Sequence, residues 1–195
     1  MTDPSASREL SEDTLVERAA GGDMAAFEEL VMRHADRLFA SLRRFGLDDA
    51  EAQEVAQETF LRAWRSLPQF ERRSQFYTWL YRIGFNEAQR RLARRSAGRM
   101  TLSTDERPLE ELADERIGPA EQAEVAELLA ALERALRELP IDLRAPVVLL
   151  DIEGFSTSEA ASMLDLGEPA FKSRLHRGRM ALRGLLTPWI ATGER

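Results

Sequence analysis

Apolar residues recur three and four positions apart along almost the whole chain, and stretches that alternate apolar with polar are nearly absent. That spacing gathers apolar groups on one side of an α-helix and on neither face of a strand, so burial has to be achieved by helices alone. The fold class implied is all-α, and 195 residues suit two small helical domains, each with a modest core.

The punctuation can be read locally. Residues 23–45 carry Phe27, Leu30, Val31, Leu38 and Leu42 on one stripe and stop at Gly46, a natural C-terminal glycine. Asp48 with Glu51 three residues on reads as a capping pair for a helix running through Ala52, Ala56, Phe60 and Ala63 to Ser66. After the loop LPQFERR, Ser74 can cap a third helix with Phe76, Leu80, Ile83 and Leu92 inside, fraying into Arg94, Arg95 and Gly98. Between residues 97 and 120 the periodicity fails among Thr, Ser, Asp, Glu and Pro108, which reads as a flexible acidic linker. The expected division is therefore 1–100, a linker 101–120, and 121–195. In the last part Val125, Leu128, Leu129, Leu132, Leu136 and Leu139 form a stripe ended by Pro140, with three shorter helices after it.

Net charge is -7, yet it is unevenly spread. Residues 62–99 hold ten arginines against Glu71 and Glu87, residues 103–127 hold nine acids against two arginines, and residues 171–183 hold five cations and no acid. Such blocks fit either solvated helix faces or a polyanion-binding chain whose acidic parts restrain non-specific affinity. There is no cysteine, no apolar run of bilayer length, and no basic-then-apolar pattern in MTDPSASRELSED. A cytoplasmic chain without membrane insertion is expected.

The sharpest local signal is EGFSTSEAASMLDLGEPAFKSRLHRGRMALRGLL. Ser156 and Glu159 make a capping box, Asp165, Leu166 and Gly167 supply a turn, and Pro169 suits the next helix's first turn: a helix-turn-helix. Phe171, Leu175, Gly178 and Leu182 face inward on its second helix, leaving Lys172, Ser173, His176 and Arg177 outward with Arg174 and Arg179 on the flanks. Cations there can read guanine edges or hold phosphates in a major groove.

A second signal is RSQFYTWLYRIGFNEAQRRLARR, with five aromatics and a tail of arginines on one helix. Phe76 belongs inside, but Tyr77, Trp79, Tyr81 and Phe85 are not all expected to point inward. Aromatic faces beside arginines can stack unpaired bases, and core burial is the competing reading.

With these residues in view, DDAEAQEVAQETFLRAWRSLPQFERRSQFYTWLYRIGFNEAQRRLARR resembles region 2 of bacterial sigma factors of the extracytoplasmic-function subgroup. LPIDLRAPVVLLDIEGFSTSEAASMLDLGEPAFKSRLHRGR is similar to their region 4. The resemblance implies a promoter-recognition subunit of RNA polymerase. It implies that Glu51, Glu54, Gln57, Glu58 and Leu61 dock on the polymerase clamp coiled coil, and that the second domain meets the flap. It places the melted minus-ten element on the 67–74 loop and following helix, at Phe70, Arg73, Ser74, Tyr77, Trp79, Arg82, Asn86 and Arg90, with a flipped base near Phe70, Arg73, Ser74 and Trp79. The minus-thirty-five element falls to Lys172, Ser173, Arg174, His176 and Arg177. Promoter DNA, duplex and single-stranded, is the implied ligand, an anti-sigma protein a further implied partner, and no cofactor or metal is called for. The chain departs from the family's pattern at Pro169, Ala170 and Phe171, where a Gly-Thr-Val type of entry is usual, at Ala160, and at Gln89.

An enzyme is disfavoured, since His34 and His176 sit on separate helices, no cysteine exists, and no GxGxxG or Walker lysine motif occurs. The other class to separate is a stand-alone helix-turn-helix regulator with an N-terminal partner-binding module, which would bind duplex specifically without polymerase.

Overall fold

The computed structural model of the chain describes residues 10–98 and 119–190, and among these no strand occurs. The first half consists of α1 (Glu12–Ala20), α2 (Met24–Arg44), α3 (Asp49–Ser66), a 3-10 turn at Leu67–Gln69, and α4 (Phe76–Gly98). The second consists of α5 (Pro119–Glu138), α6 (Ile141–Val147), a π-helical turn at Val148–Ile152, α7 (Thr157–Met163) and α8 (Glu168–Ile190). The expected linker lies outside the described residues, except that its last two positions open α5.

Local chemistry sets most ends. The Asp48 carboxylate accepts from the Glu51 backbone N–H at 2.8 Å and Glu51 accepts from Asp48 N–H at 3.2 Å, closing the capping box that begins α3. At the end of α2, Gly46 N–H donates to Arg43 C=O and Leu47 N–H to Leu42 C=O, a Schellman ending that turns on Gly46 at φ 110°. The cap of α4 falls at Gln75 rather than Ser74, with the helix starting at Phe76.

Two differences from the sequence reading stand out. Ser11 caps a helix ahead of the first one expected from the sequence, and α1 buries Leu15, Val16 and Ala19, packing along α2. In α4, Phe76, Tyr77, Tyr81 and Phe85 all turn inward, each 5% exposed or less. One helix can bury so many aromatics because it is covered on two sides: α2 and α3 pack against one flank, and Phe155 of the second half lies on Tyr77 and Tyr81 at ring distances of 6.1 and 4.9 Å. Tyr81 keeps its hydroxyl satisfied on Ser41 at 2.8 Å.

Both halves consequently share one continuous buried cluster. It runs from Leu30, Leu38, Phe45 and Leu80 through Phe155 to Leu136, Val148, Leu149 and Phe171. Arg144 fixes the seam. Its guanidinium donates to Phe45 C=O at 2.9 Å, Leu139 C=O at 2.8 Å and Arg137 C=O at 2.6 Å, so one cation serves the C-terminal ends of α2 and α5 together. Burial pushes the Arg144 pKa down to about 10, which still leaves it charged at neutral pH. A methyl group on Gly46 would stand 2.1 Å from Arg144 Nη1, so Gly46 is needed for the space as well as for the turn.

Candidate nucleic-acid interface

Between α3 and α4 the chain turns through Arg72, a non-glycine residue at φ 54°. This brings Phe70 back onto α4, where it stacks on Trp79 at 4.8 Å and 30° and meets Phe76 edge-on at 6.4 Å. Phe70 and Trp79 stay half-buried at the mouth of the loop. Beside them Arg73 is exposed and, among the described residues, paired with Glu71 at 2.8 Å, a contact too wet to fix it; Ser74 is half-buried in the same loop.

Down the helix, Arg82, Asn86 and Arg90 follow at four-residue spacing, all exposed, on the same side as Trp79. Arg90 pairs with Glu87 at 3.3 Å, and Arg82 donates to Ser162 Oγ of α7. The result is an open, cationic stripe with an aromatic shelf at its head. Tyr77 is on the opposite side. Its ring is stacked on His34 at 5.5 Å, Arg37 lies 4.0 Å above it, and its hydroxyl donates to Glu153 Oε2 at 3.0 Å. Burial, and next the Glu153 carboxylate, raise the Tyr77 pKa far beyond the usual phenol range, which keeps the proton available for that bond.

On α3, Glu54, Gln57 and Leu61 are exposed and Glu58 is half-buried, an acidic face with one apolar residue. Arg91 holds Glu54 at 2.6 Å and depresses its carboxyl pKa by that hydrogen bond. Glu51 sits at the margin, used by the capping box and by Arg95 at 3.0 Å. Arg95 also donates to Gly46 C=O, so the end of α4 that the sequence suggested would fray is tied down.

In the second half the helix-turn-helix forms as the sequence indicates. Ser156 and Glu159 close their box, with Ser156 N–H donating to Glu159 at 2.9 Å. The left-handed residue of the turn is Asp165, at φ 52°, rather than Gly167. Phe171, Leu175 and Gly178 of α8 are buried; Lys172, Ser173, His176 and Arg177 are exposed and Arg174 is half-buried. Gly178 lies against α6, where a methyl group would be 2.5 Å from Leu143 C=O and 2.9 Å from Val147 Cγ2. Arg179 forks onto Asp151 at 2.9 and 2.5 Å, while Arg177 makes no ion pair among the described residues. Asp151 is thus taken by Arg179 and Glu153 by Arg37, leaving Arg177 toward solvent.

Two family models match the chain, one within each half. Residues 30–98 match Sigma-70 region 2, and residues 129–182 match Sigma-70 region 4. RNA polymerase sigma-H factor of Pseudomonas aeruginosa is 35% identical over 183 residues, covering 90% of this chain and 94% of the relative. The chain belongs to the extracytoplasmic-function sigma factors. ECF RNA polymerase sigma-E factor of Escherichia coli (strain K12) is 33% identical over 191 residues, covering 94% and 98% of the two chains. The solved structure of CnrH in complex with the cytosolic domain of CnrY is 30% identical, covers 91% of this chain and 99% of its own, and superposes with a TM-score of 0.62. As an alternative sigma factor, the protein joins core RNA polymerase and directs promoter recognition and transcription initiation. Core polymerase and promoter DNA are its partners, and no helix among the described residues is long and apolar enough to cross a membrane.

Arg37, Glu153 and Arg144 went unread in the sequence, and His34 entered only as a histidine on a different helix from His176. The contacts that matter are far along the chain: Glu12 is 22 residues from His34, Phe45 99 from Arg144 and Glu153 116 from Arg37, and no local pattern marks such pairs.

Proposed function

We propose that residues 1–100 bind the polymerase clamp and the melted minus-ten strand, that 101–120 link the halves, and that 121–195 read the minus-thirty-five duplex. The carrying observation is the stripe of Trp79, Arg82, Asn86 and Arg90 headed by the Phe70–Trp79 stack. An aromatic shelf supports an unstacked base, worth about 1–3 kcal/mol per base, and the cations follow the backbone. Phe70, Arg73, Ser74 and Trp79 line the flipped-base site, and Tyr77 supports it from behind through Phe76 and His34. Glu54, Gln57, Glu58 and Leu61, with Glu51 at the edge, form the clamp-binding face. Lys172 and Arg177 read base edges, while Ser173, Arg174 and His176 contact the backbone or flanking positions.

The chain acts in the cytoplasm by binding rather than by catalysis. A protein antagonist of the anti-sigma kind regulates it, a reading supported by the likeness to CnrH bound to the cytosolic domain of CnrY. Run-off transcription with purified core polymerase and the chain's own upstream region tests the whole assignment. A specific start is expected, and none would overturn it. In the same assay Trp79→Ala should lose open complexes while keeping closed ones; equal loss of both would make Trp79 a packing residue.

A further inference from the structure

The 27 basic side chains of this protein are all arginine except Lys172. An arginine stays charged at any pH a cell reaches and takes no acyl group there, whereas a lysine amine is open to acylation. The chain's positive charge is thus fixed everywhere but at one residue. That residue stands on α8, in the face assigned to the minus-thirty-five duplex.

Its surroundings leave it accessible. The Lys172 side chain is 63% exposed, and Glu168, Pro169, Ala170, Ser173 and His176 on the neighbouring turns are exposed as well. Among the described residues its ion-pair partner is Glu168 at 3.1 Å, itself so open to water that the pair is weak and the amine can swing away. The fold does not depend on that charge. Lys172 lies near the start of α8, where a cation opposes the helix dipole and Glu168 complements it, so neutralising the amine costs the helix nothing.

We infer that Lys172 is an acylation site that sets affinity for the minus-thirty-five element, taking an acetyl group from an activated donor, an acyl thioester or an acyl phosphate. The inference rests on the assignment of α8 to that element. In the transfer Nζ gives one proton to solvent and its lone pair attacks the donor's carbonyl carbon. A nitrogen–carbon bond forms, the carbon–sulfur or carbon–oxygen bond breaks with its electron pair going to the leaving group, and a second nitrogen proton ends on that group. Two charges then change at the groove: the amide is neutral, and Glu168 is left as a bare carboxylate toward phosphate. An arginine at this position would fork onto a guanine equally well but could not be switched off.

The test treats the full chain with acetyl phosphate in one arm and acetyl-CoA in another, maps the product by peptide mass spectrometry, and assembles it with core polymerase. The terminal amine aside, Lys172 is the sole amine that can gain an acetyl group, so the map has one reading. At least one donor should modify it, and the arm that does so names the source. Holoenzyme acetylated at Lys172 should bind its promoter about 5- to 150-fold more weakly, with a salt slope smaller by about one ion. Assembly with core polymerase and the melting temperature of the chain should stay as before treatment. Lys172→Arg, whatever its starting affinity, should not respond to either donor, and Glu168→Gln should lose less on treatment than the parent. Failure of both donors to modify Lys172, an acetylated parent that binds as before, or an equal loss in Lys172→Arg would overturn the proposal; an equal loss in Glu168→Gln would overturn the part given to Glu168. If untreated holoenzyme is indifferent to the minus-thirty-five sequence, the promoter assignment is what falls.

Discussion

Gly178 and Gly184 lie six residues apart on α8, and replacing each by alanine should have opposite results. At Gly178 the new methyl would be 2.5 Å from the Leu143 carbonyl oxygen, against a comfortable carbon–oxygen separation of about 3.3 Å. The helix, or α6 beneath it, would have to retreat by roughly 0.8 Å, and overpacking of this kind costs about 1–3 kcal/mol. At Gly184 nothing lies within 4 Å of the added methyl. Both variants gain the same helix propensity, about 1 kcal/mol for alanine over glycine in a helix interior. That shared gain cancels in the comparison, so Gly178→Ala should be about 1–3 kcal/mol less stable than Gly184→Ala, which itself should exceed the parent. For a chain of this size each kcal/mol moves the melting temperature by about 2–4 °C, giving a separation of about 2–12 °C by circular dichroism. If both variants rise together, α8 does not cross α6 at van der Waals contact, and the placement of the cationic face beyond it loses its support.

Arg177→Ala should leave thermal stability unchanged and weaken holoenzyme binding by about 1–3 kcal/mol, with relaxed preference at one base pair of the minus-thirty-five element, whereas Arg179→Ala should lower stability by losing Asp151 and leave base preference alone. A uniform loss across promoter variants for Arg177→Ala would make it a phosphate contact. The pKa of His34 is lowered chiefly by burial, against the raising effect of Glu12 at 2.8 Å. Its folded value thus lies below its unfolded one of about 6.5, so the unfolded chain binds more protons in between and stability falls as pH drops from about 6.5 through the depressed value. His34→Gln should flatten the melting temperature over that window, and an unchanged pH profile would refute the assignment.

What could be read from sequence was what is local. The capping pairs at Asp48 and Ser156, the stop at Gly46 and the outward set Lys172, Ser173, His176 and Arg177 all depend on neighbours within one helical turn, and the structure has them. Helix α1 escaped because nine residues with three buried apolar groups are a helix only when α2 lies alongside. The aromatics of α4 misled for the opposite reason: wheel geometry allows one covered side, and the second cover, Phe155, comes from the far half of the chain. Similarly, charge counting could not tell which arginine Asp151 would take. Arg179 rather than Arg177 reaches it, a choice fixed by how α8 crosses α6.

The π-helical turn at Val148–Ile152 has a consequence for how this protein can change over time. Within three residues it sends Asp151 to the recognition helix and Glu153 to the opposite half. A substitution at either acid breaks one link and leaves the other. Losing or gaining a single residue there would swing everything beyond it by about 100°, unseating both at once. The segment is thus open to change in composition but closed to change in length, and insertions or deletions in viable variants should fall elsewhere in the chain.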